Sequence, residues 1–423
     1  MNYPDSVQFL YALGNEIKTA KFGLERIRAV AGALGNPHER GRYVHVAGTN
    51  GKGSVCAMIE SALRAAGERT GLFTSPHLSE PVERIRIDGQ PVTAARFAAA
   101  FERVHAAVEK LLEEGAIDLH ATYFETVTAM AFAIFAEEAV HTAVLEVGLG
   151  GRLDATNIVR PELCVITPID FDHEAWLGRS LESIAGEKAG ILKAGVPAVF
   201  ARQRPEVAPI LNARAREVGA PVTRAEDWPI RHLELDARGS RFELGPLRIE
   251  CPLAGEHQVE NAATAAVAAV QLGLPGHAIE RGIASVRWPG RLERVCEDPE
   301  IILDGAHNPA GARSLAAYIR RFYAGRPVRL IFGAMRDKAV AEIGGILFPH
   351  AQEVILTAPR QARAVSPEAL RELGGHAGFK VAASIEDALA LAPTAPAAVT
   401  FITGSLFLVA EARAILVGQA GPA

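Results

Sequence analysis

The chain has 423 residues, 49% of them hydrophobic, which exceeds the size of a usual single domain and is enough for two cores. Its formal net charge is -5, with 44 basic and 49 acidic residues, so no overall positive field favours nucleic-acid binding. The four cysteines are far apart and form no CxxC pair, which argues against a zinc ribbon or a disulfide framework. Residues 1–13 lack the basic start and long apolar run of a signal peptide or membrane span. We therefore expect a cytoplasmic protein.

Short apolar runs alternate with helical patterns between residues 43 and 200, which predicts a mainly parallel sheet flanked by helices. Ligands of such sheets bind at the carboxyl ends of the strands. Residues 241–244 and 247–250 alternate like a hairpin, which we expect to extend the sheet with antiparallel strands. The strands predicted for this first half span residues 43–47, 70–73, 143–147, 163–167 and 198–200.

A second alternation of strands and helices begins at residue 301, after an alanine-rich helix predicted at residues 257–272. Pro289 and Gly290 interrupt the pattern between them, so we expect a domain boundary there. The predicted fold is α/β, with an N-terminal P-loop domain at residues 1–288 and a smaller, Rossmann-like C-terminal domain at residues 289–423. The strands predicted for the second domain span residues 301–304, 329–333, 353–357 and 399–403.

The segment GTNGKGS at residues 48–54 lies between a predicted strand and a predicted helix. Backbone N–H groups of such a loop can hold anionic oxygens, the helix N-terminus adds partial positive charge, and Lys52 supplies a mobile cation. This pattern indicates a nucleoside triphosphate. The match to the usual P-loop is incomplete, because Val46 replaces the first glycine and the hydroxyl comes one residue late, at Ser54. The alternative is a plain glycine turn with a surface lysine.

Polar groups follow the next two strands as well. Ser75 comes directly after the second one, where its hydroxyl could bind magnesium, although Ser-Pro is also a common turn. Glu146 lies inside a strand that should be buried, and a buried carboxylate is costly unless it is paired or binds a metal. The glycines at 148–151 lack the GxGxxG spacing of a dinucleotide site. We expect them to let the backbone approach a ligand, with Arg152 and Asp154 directed at it; a turn with solvated charges is the alternative.

Two acids and a histidine follow the fourth strand, at residues 170–173. His173 shares its sheet edge with Glu146, which favours a role in metal binding. Nitrogen is an unusual ligand for magnesium, which prefers oxygen.

Lys188 lies in a predicted helix among small apolar residues. A lysine enclosed in this way loses proton affinity, and its neutral amine becomes reactive, for instance toward carbon dioxide to give a carbamate. The residues alone favour the simpler alternative, an exposed helix face with Glu and Lys.

The second half of the chain offers weaker signals. Asp304 ends a strand and could accept hydrogen bonds from a ribose or an amine, while Arg291 offers a guanidinium for phosphates near the expected hinge. Residues 257–261, including Asn261, open the alanine-rich helix, where an asparagine can also be a plain cap.

Together these segments resemble the folylpolyglutamate synthase and dihydrofolate synthase family of the Mur ligase superfamily, over nearly the whole chain. Glycine at position 53 favours this branch, because cell-wall Mur ligases usually place Ser or Thr directly after the lysine. The landmarks are GLER at residues 23–26, GTNGKGS at 48–54, SPHL at 75–78, TYFE at 122–125, LEVGLGGRLDATN at 145–157, the Asp172-His173 pair, EKAGI at 187–191, PGRLE at 289–293 and DGAHNP at 304–309.

The resemblance implies roles for the residues named above. The ATP phosphates would be held by Gly51, Lys52, Gly53 and Ser54, and the nucleotide site completed by Asn261, Arg291 and Asp304. Magnesium ligands would be Ser75, Glu146 and His173. Lys188 matches the family lysine that is carbamylated, and its carbamate would help to hold a second magnesium. Lys188 and Lys52 are thus the expected catalytic residues.

Substrate contacts are implied in the same way. Pterin contacts of the family fall on three segments. The first departs from the more acidic sequence of familiar bacterial members. The residues are Ala20, Lys21 and Phe22, then Thr122, Tyr123, Phe124 and Glu125, then Leu153, Asp154 and Ala155.

The implied reaction is ATP-dependent addition of L-glutamate to dihydropteroate, to a reduced folate, or to both, through an acyl phosphate. Closure of the two domains about residues 289–290, with the glutamate site near His307, is a hypothesis. We expect a monomer that binds neither nucleic acid nor membrane.

Two alternative functions are a cell-wall Mur ligase and a P-loop ATPase without ligase activity. The first needs an N-terminal nucleotide-sugar domain, for which the roughly forty residues before the phosphate loop are few. The second leaves the metal cluster and the second domain unexplained.

Overall fold

The computed structural model describes residues 1–13, 23–373, 378–391 and 397–418. Its α-helices are α1 Tyr3–Ala12, α2 Glu25–Ala33, α3 Lys52–Ala65, α4 Ala94–Glu113, α5 Tyr123–Glu137, α6 Glu174–Leu177, α7 Leu181–Ala189, α8 Ala208–Glu217, α9 Glu256–Gln271, α10 Gly276–Ala284, α11 Pro309–Phe322, α12 Val340–Leu347, α13 Pro367–Leu373, α14 Ile385–Ala390 and α15 Leu406–Leu416. Its strands are β1 Arg42–Ala47, β2 Thr70–Phe73, β3 Ile85–Ile87, β4 Gln90–Pro91, β5 Thr142–Glu146, β6 Leu163–Ile166, β7 Ala198–Phe200, β8 Val222–Arg224, β9 Ile230–Leu235, β10 Ser240–Leu244, β11 Leu247–Cys251, β12 Glu293–Glu297, β13 Glu300–Leu303, β14 Val328–Phe332, β15 Glu353–Leu356, β16 Phe379–Val381 and β17 Val399–Thr403.

The first half of the chain forms an eight-stranded sheet in the order β4-β3-β2-β5-β1-β6-β7-β8. Strands β2, β5, β1, β6, β7 and β8 are parallel, and β3 and β4 are antiparallel to their neighbours. The predicted mainly parallel sheet is therefore confirmed. Its central strands β1, β5 and β6 are almost completely buried, because helices cover both faces.

Helix α3 is the central helix of this half. It begins at Lys52, directly after Gly51, whose backbone has a left-handed φ of 83° that favours glycine. Its next turns are buried against α9 and α10, and a Cβ at Gly282 of α10 would lie 2.4 Å from the Cα of Ala62. This tight packing fixes the helix whose N-terminus follows the phosphate loop.

The hairpin at residues 241–250 does not extend the first sheet, so that prediction was wrong. Strands β10 and β11 pair with β9 in a separate antiparallel sheet of order β11-β10-β9. One face of the hairpin is apolar, and Phe242, Leu244 and Ile249 pack into the same core as α3, α9 and α10. The hairpin thus buries its apolar face against these helices, and β8 forms the edge of the first sheet.

The second half forms a six-stranded sheet in the order β12-β13-β17-β14-β15-β16, in which only β12 is antiparallel to its neighbour. All four strands predicted there are present as β13, β14, β15 and β17. The predicted division between residues 288 and 289 falls in the connection between α10 and β12, and it stays a prediction. Within the described ranges, no helix combines the length and apolar character needed to cross a membrane.

Candidate active site

A cavity of about 460 Å³ lies where the carboxyl ends of β1, β5 and β6 face the second half of the chain. The sequence-predicted nucleotide and metal residues all line it, although they come from eight separate segments. They are Gly51, Lys52, Gly53, Ser54, Ser75, Glu146, His173, Lys188, Asn261, Arg291 and Asp304. The structure therefore brings these residues together around one space.

The phosphate loop is held in place by the start of α9. Gln258 Nε2 donates a hydrogen bond to Ser54 Oγ at 3.2 Å, and Asn261 Nδ2 donates to Gln258 Oε1 at 3.0 Å. A Cβ at Gly51 would lie 2.3 Å from Asn261 Oδ1, so only glycine fits there. Lys52 Nζ donates to the carbonyl of Thr49 at 3.0 Å, which turns its ammonium back over the loop.

Gly53 faces an aromatic ring that the sequence did not reveal. A Cβ at Gly53 would lie 3.0 Å from Nε1 of Trp288, in the connection between the two sheets. The guanidinium of Arg86 lies over the Trp288 ring at 5.3 Å. The indole thus occupies space next to the position where cell-wall Mur ligases usually have a hydroxyl residue. Its close approach explains why a residue without a side chain suits position 53.

Lys188 is buried inside the site, not on an exposed helix face. It lies on α7, whose N-cap is Ser180, and its Nζ donates to the carbonyl of Gly48 at 2.7 Å. Burial, together with repulsion from Lys52, lowers the pKa of Lys188 to about 7. At neutral pH, Lys188 is therefore a neutral, nucleophilic amine in a large fraction of the molecules.

Glu146 ends β5 and is buried in the cavity wall. Its Oε2 accepts a hydrogen bond from the backbone N–H of Ser75 at 3.0 Å. Burial raises the pKa of Glu146, and the nearby Lys52 ammonium opposes that rise. The carboxylate is thus buried, as its place in a predicted inner strand indicated; its role as a metal ligand stays a prediction.

Asp172 connects the two halves of the molecule. Its Oδ1 pairs with Lys338 Nζ at 2.7 Å, and its Oδ2 accepts from Asn308 Nδ2 at 3.2 Å. Burial acts to raise the Asp172 pKa, but the Lys338 ammonium and the neighbouring histidines outweigh it, so the pKa lies well below its usual range. Asn308 Nδ2 also donates to Asn50 Oδ1 at 2.9 Å, which ties the second half directly to the phosphate loop.

His173 follows Asp172 in a left-handed backbone conformation, with φ 54°, and its ring lines the cavity. Desolvation and the charge of Lys338 lower the pKa of His173 to about 4, so its ring is neutral at physiological pH. Sequence reasoning missed Lys338, since a single lysine in a polar loop gives no pattern to detect.

Asp304 ends β13 and is occupied by the backbone around it. Its Oδ2 accepts from Leu292 N–H and its Oδ1 from Ala306 N–H, both at 3.0 Å. Burial raises its pKa, which the nearby Arg291 guanidinium counteracts. The carboxylate thereby holds the segment that joins the two sheets, next to the cavity.

A side cavity of about 220 Å³ adjoins the main one, and Leu149 and Gly150 line both. Six of the predicted substrate residues line it, namely Thr122, Phe124, Glu125, Leu153, Asp154 and Ala155. Tyr123 does not: its ring stacks on Tyr11, with centroids 5.8 Å apart, and lies under the Arg84 guanidinium. The predicted contacts at Ala20, Lys21 and Phe22 lie outside the described residues.

The acids of the side cavity are bound by the protein itself. Glu125 closes a capping box with Thr122 at the start of α5 and pairs with Arg26 at 2.8 Å. Asp154 accepts from the backbone N–H groups of Gly148 and Leu149, each at 2.9 Å. These carboxylates fix the shape of the wall.

Buried hydrogen bonds connect Asp154 to Thr156 and Thr156 to His45. Thr156 donates its N–H and its Oγ1–H to Asp154 Oδ1, at 3.0 and 2.5 Å. The hydroxyl hydrogen is thus already used, so Nε2 of His45, 2.8 Å from Thr156 Oγ1, must be the donor of that hydrogen bond. His45 is completely buried, its Nδ1 has no hydrogen-bond partner, and burial lowers its pKa to about 3.

Comparison with known proteins gives the same assignment along the whole chain. The Mur ligase middle domain matches residues 46–269, and the Mur ligase glutamate ligase domain matches residues 290–406. Folylpolyglutamate synthase of Lacticaseibacillus casei is 36% identical, with 99% of each chain covered. The dihydrofolate synthase/folylpolyglutamate synthase of Escherichia coli is also 36% identical, over 94% of this chain and 92% of that protein. The chain belongs to the folylpolyglutamate and dihydrofolate synthase family.

Solved structures of this family share the fold. Folylpolyglutamate synthase of Mycobacterium tuberculosis, complexed with ADP, superposes with a TM-score of 0.93 at 34% identity, and each chain is covered completely. An Escherichia coli member in complex with DHPP and ADP gives 0.87 at 32% identity, over 100% of this chain and 99% of that one. As a folylpolyglutamate and dihydrofolate synthase family member, the protein is an ATP-dependent ligase that adds glutamate to folate-type acceptors.

Proposed function

We propose that the enzyme adds L-glutamate to dihydropteroate, to a reduced folate, or to both, and that the main cavity is the place where this amide bond forms. The observation that supports this proposal most strongly is the position of Lys52, Lys188 and Glu146, from three separate elements, around one cavity beside a smaller one. The proposed phosphate site and acceptor site thereby share one wall, at Leu149 and Gly150.

ATP would place its phosphates on the loop of Gly51, Lys52, Gly53 and Ser54, at the N-terminus of α3. Backbone N–H groups at that end of the helix, with the Lys52 ammonium, favour anionic oxygens. Asn261, Arg291 and Asp304 line the same cavity and would complete the nucleotide site from the side of the second sheet.

Two of the three donors proposed for Mg²⁺, Glu146 and Ser75, offer the oxygen atoms that this ion prefers. Glu146 is a buried carboxylate whose pKa is raised by burial, so a cation there would relieve the cost of its charge. Ser75 and His173 line the same cavity and would hold the ion together with Glu146. When bound, two magnesium ions would neutralise the charge that develops on the transferred phosphoryl group.

Lys188 would act as a carbamate. Its low pKa provides a neutral amine that can add to carbon dioxide, with loss of one proton, to form an N-carboxylate. The new anion would lie buried near Lys52, and it would be a ligand for the second magnesium ion.

The proposed chemistry has two steps. A carboxylate oxygen of the acceptor attacks the γ-phosphorus of ATP, which releases ADP and forms an acyl phosphate. The amine of L-glutamate then attacks the acyl carbon, inorganic phosphate leaves, and a proton is lost from nitrogen. Lys52 would stabilise the charge on the phosphoryl group in the first step, as positioned cations do in phosphoryl transfer.

The pterin ring of the acceptor would occupy the side cavity. Phe124, Leu153 and Ala155 provide apolar contact, and Arg26 and Glu125 provide polar groups at the edge. Glutamate would bind between the two halves, near His307 and the Lys338–Asp172 pair.

We also propose that rotation about residues 289–290 opens and closes the cavity between the two halves. Identical X-ray scattering profiles with and without ATP and folate would contradict that motion. The monomeric state and the cytoplasmic location stay predictions.

The proposal is tested by following ADP release with ATP and Mg²⁺ in four reactions: dihydropteroate plus glutamate, a reduced folate plus glutamate, and each of the two acceptors without glutamate. We expect sustained ADP release only when glutamate is present, together with a product one glutamate heavier by mass spectrometry. Equal hydrolysis without glutamate would favour a simple ATPase. Inactivity with both acceptors, combined with activity on a peptidoglycan precursor, would favour a cell-wall ligase.

A further inference from the structure

Three side chains outside the catalytic cavity lie close together. His105 and Glu109 lie one turn apart on α4, and His120 comes from the segment that connects α4 to α5. His105 Nδ1 lies 3.3 Å from His120 Nε2, and Glu109 Oε1 lies 3.8 Å from each of these nitrogens. Within the described ranges, no other trio of His, Cys, Asp or Glu side chains brings ligand atoms this close together.

The protonation of His120 is fixed by its surroundings. Its Nδ1 lies 2.8 Å from the carbonyl oxygen of Ala121, and a carbonyl only accepts hydrogen bonds, so Nδ1 carries the proton. The neutral ring therefore turns the lone pair of Nε2 toward His105 and Glu109. A hydrogen bond from the other ring nitrogen to a backbone carbonyl is how proteins orient histidine ligands of metals.

The rings of both histidines are held by aromatic neighbours. Phe101 stacks on His105 with centroids 5.5 Å apart and an interplanar angle of 9°, and Phe9 contacts both His105 and His120. The imidazoles have thus lost much of their rotational freedom before any ligand binds. Glu109 is half exposed, so the protein packs less tightly around it than around the two histidines.

The spacing matches an ion between the three atoms. Two ligands of a tetrahedral Zn²⁺ ion, each about 2.1 Å from the metal, lie about 3.4 Å apart. The two nitrogens are already at 3.3 Å, and Glu109 needs to approach by only about 0.4 Å to reach that tetrahedral spacing. The proton on His105 Nδ1, which now points to His120, would move to the other ring nitrogen.

We propose that His105, Glu109 and His120 form a binding site for a divalent transition-metal ion of the Zn²⁺ class, with a water molecule as fourth ligand. Two imidazoles and one carboxylate suit Zn²⁺, whereas Mg²⁺ and Ca²⁺ prefer oxygen alone. A bound ion would fasten α4 to the segment before α5. Because Thr122 caps α5 two residues after His120, the site would also steady the wall of the side cavity.

Isothermal titration of the untagged, full-length protein with Zn²⁺, in excess Mg²⁺, tests the proposal. We expect one Zn²⁺ per chain at this site. Glu109→Gln should weaken binding at least about tenfold, since even outer-shell partners of metals are worth 10–100-fold. His120→Ala should abolish binding at this site. Because Glu109 is half exposed, we expect its variant to fold even if the histidine variant does not.

His141→Ala is the matched control, because His141 lies 3.0 Å from Glu68 in another exposed histidine–carboxylate pair. It should leave Zn²⁺ affinity unchanged. With Co²⁺ as the probe, wild type should show the intense ligand-field absorption of a four-coordinate ion, and Glu109→Gln should lose it. Equal Zn²⁺ affinity in wild type and Glu109→Gln, or no Zn²⁺ binding by wild type, would overturn the proposal.

Discussion

The two cavities have opposite ways of using buried charge. In the main cavity, Lys188 and Glu146 are buried, and within the described part of the chain each makes one hydrogen bond, to the backbone. In the side cavity, Glu125 and Asp154 are just as buried, but several protein groups donate to each of them.

The difference separates chemistry from shape. A carboxylate that already accepts several backbone N–H bonds has little capacity left for a ligand, so it acts by fixing a loop. A charged group whose burial is poorly compensated keeps a strong tendency to bind a counter-ion or to react. We therefore expect mutations of Lys188 and Glu146 to reduce kcat, and mutations of Glu125 and Asp154 to reduce stability and acceptor affinity.

The largest expected effect comes from Lys188→Ala. Loss of the group proposed to hold the second magnesium should lower kcat by about 10² to 10³, the usual size for removal of one preorganised electrostatic contact. Steady-state ADP release measures this. Lys193→Ala is the control, since Lys193 lies near the end of the same helix and donates to the carbonyl of Asn157 at 3.2 Å. Substantial activity in Lys188→Ala would contradict the role assigned to the main cavity.

Asp154→Ala should mainly affect stability. It leaves the N–H groups of Gly148 and Leu149 without their acceptor, so we expect a loss of about 3 kcal/mol in the free energy of unfolding. Urea denaturation measures this loss, and the KM for the acceptor should rise as well. Asp236→Ala is the control: Asp236 accepts from Arg238 and Gly239 N–H in an exposed turn, where water can replace it. Equal losses in both variants would argue against a special role for the loop.

His45 should make the same loop sensitive to acid. Its pKa is about 3 in the folded protein and about 6.5 in an unfolded chain, so between these values only the unfolded state binds the proton. Stability contributed by the neutral ring is therefore present above pH 6.5 and is lost as pH falls. From pH 7 to pH 5 the expected loss is about 2 kcal/mol beyond that of His45→Gln, which keeps a donor for Thr156. Parallel pH profiles of unfolding for the two proteins would refute this assignment.

Gly53→Ala should have the smallest effect. The added methyl would meet Trp288 at 3.0 Å, a mild overpacking that costs about 1 kcal/mol and should raise the KM for ATP several-fold. Trp288→Leu in the same chain should relieve the effect. Gly345→Ala, where an added Cβ meets open space, is the control. An unchanged KM in Gly53→Ala would show that the indole simply moves aside.

Much of the fold was predictable because its strands are short apolar runs that end in glycine or polar residues, as β1, β5 and β6 do. Strand β9 was missed, since residues 230–234 are exposed and show no buried face. The hairpin was recognised, but its partners were not, because the helices that it covers are distant in sequence.

The candidate site was predictable where a residue ends a strand, as Glu146 does, or comes after one, as Ser75 and His173 do. Trp288 and Lys338 reach the cavity from irregular segments, so no local pattern marks them. The cluster of His105, Glu109 and His120 was also missed, because only the folded chain brings His120 next to the i, i+4 pair on α4. The sequence also could not show that the carboxylates of Asp154 and Asp304 already accept hydrogen bonds from backbone N–H groups of other residues.

Carbon-13 NMR of the enzyme in ¹³C-bicarbonate is the most direct test of the central claim. That claim is that Lys188 takes part in the reaction as a carbamate, whereas the side-cavity acids fix the shape of the cavity wall. The account predicts one carbamate resonance in wild type at neutral pH, retained in Asp154→Ala and absent in Lys188→Ala. Absence of that resonance in an enzyme that is fully active under the same conditions would contradict it.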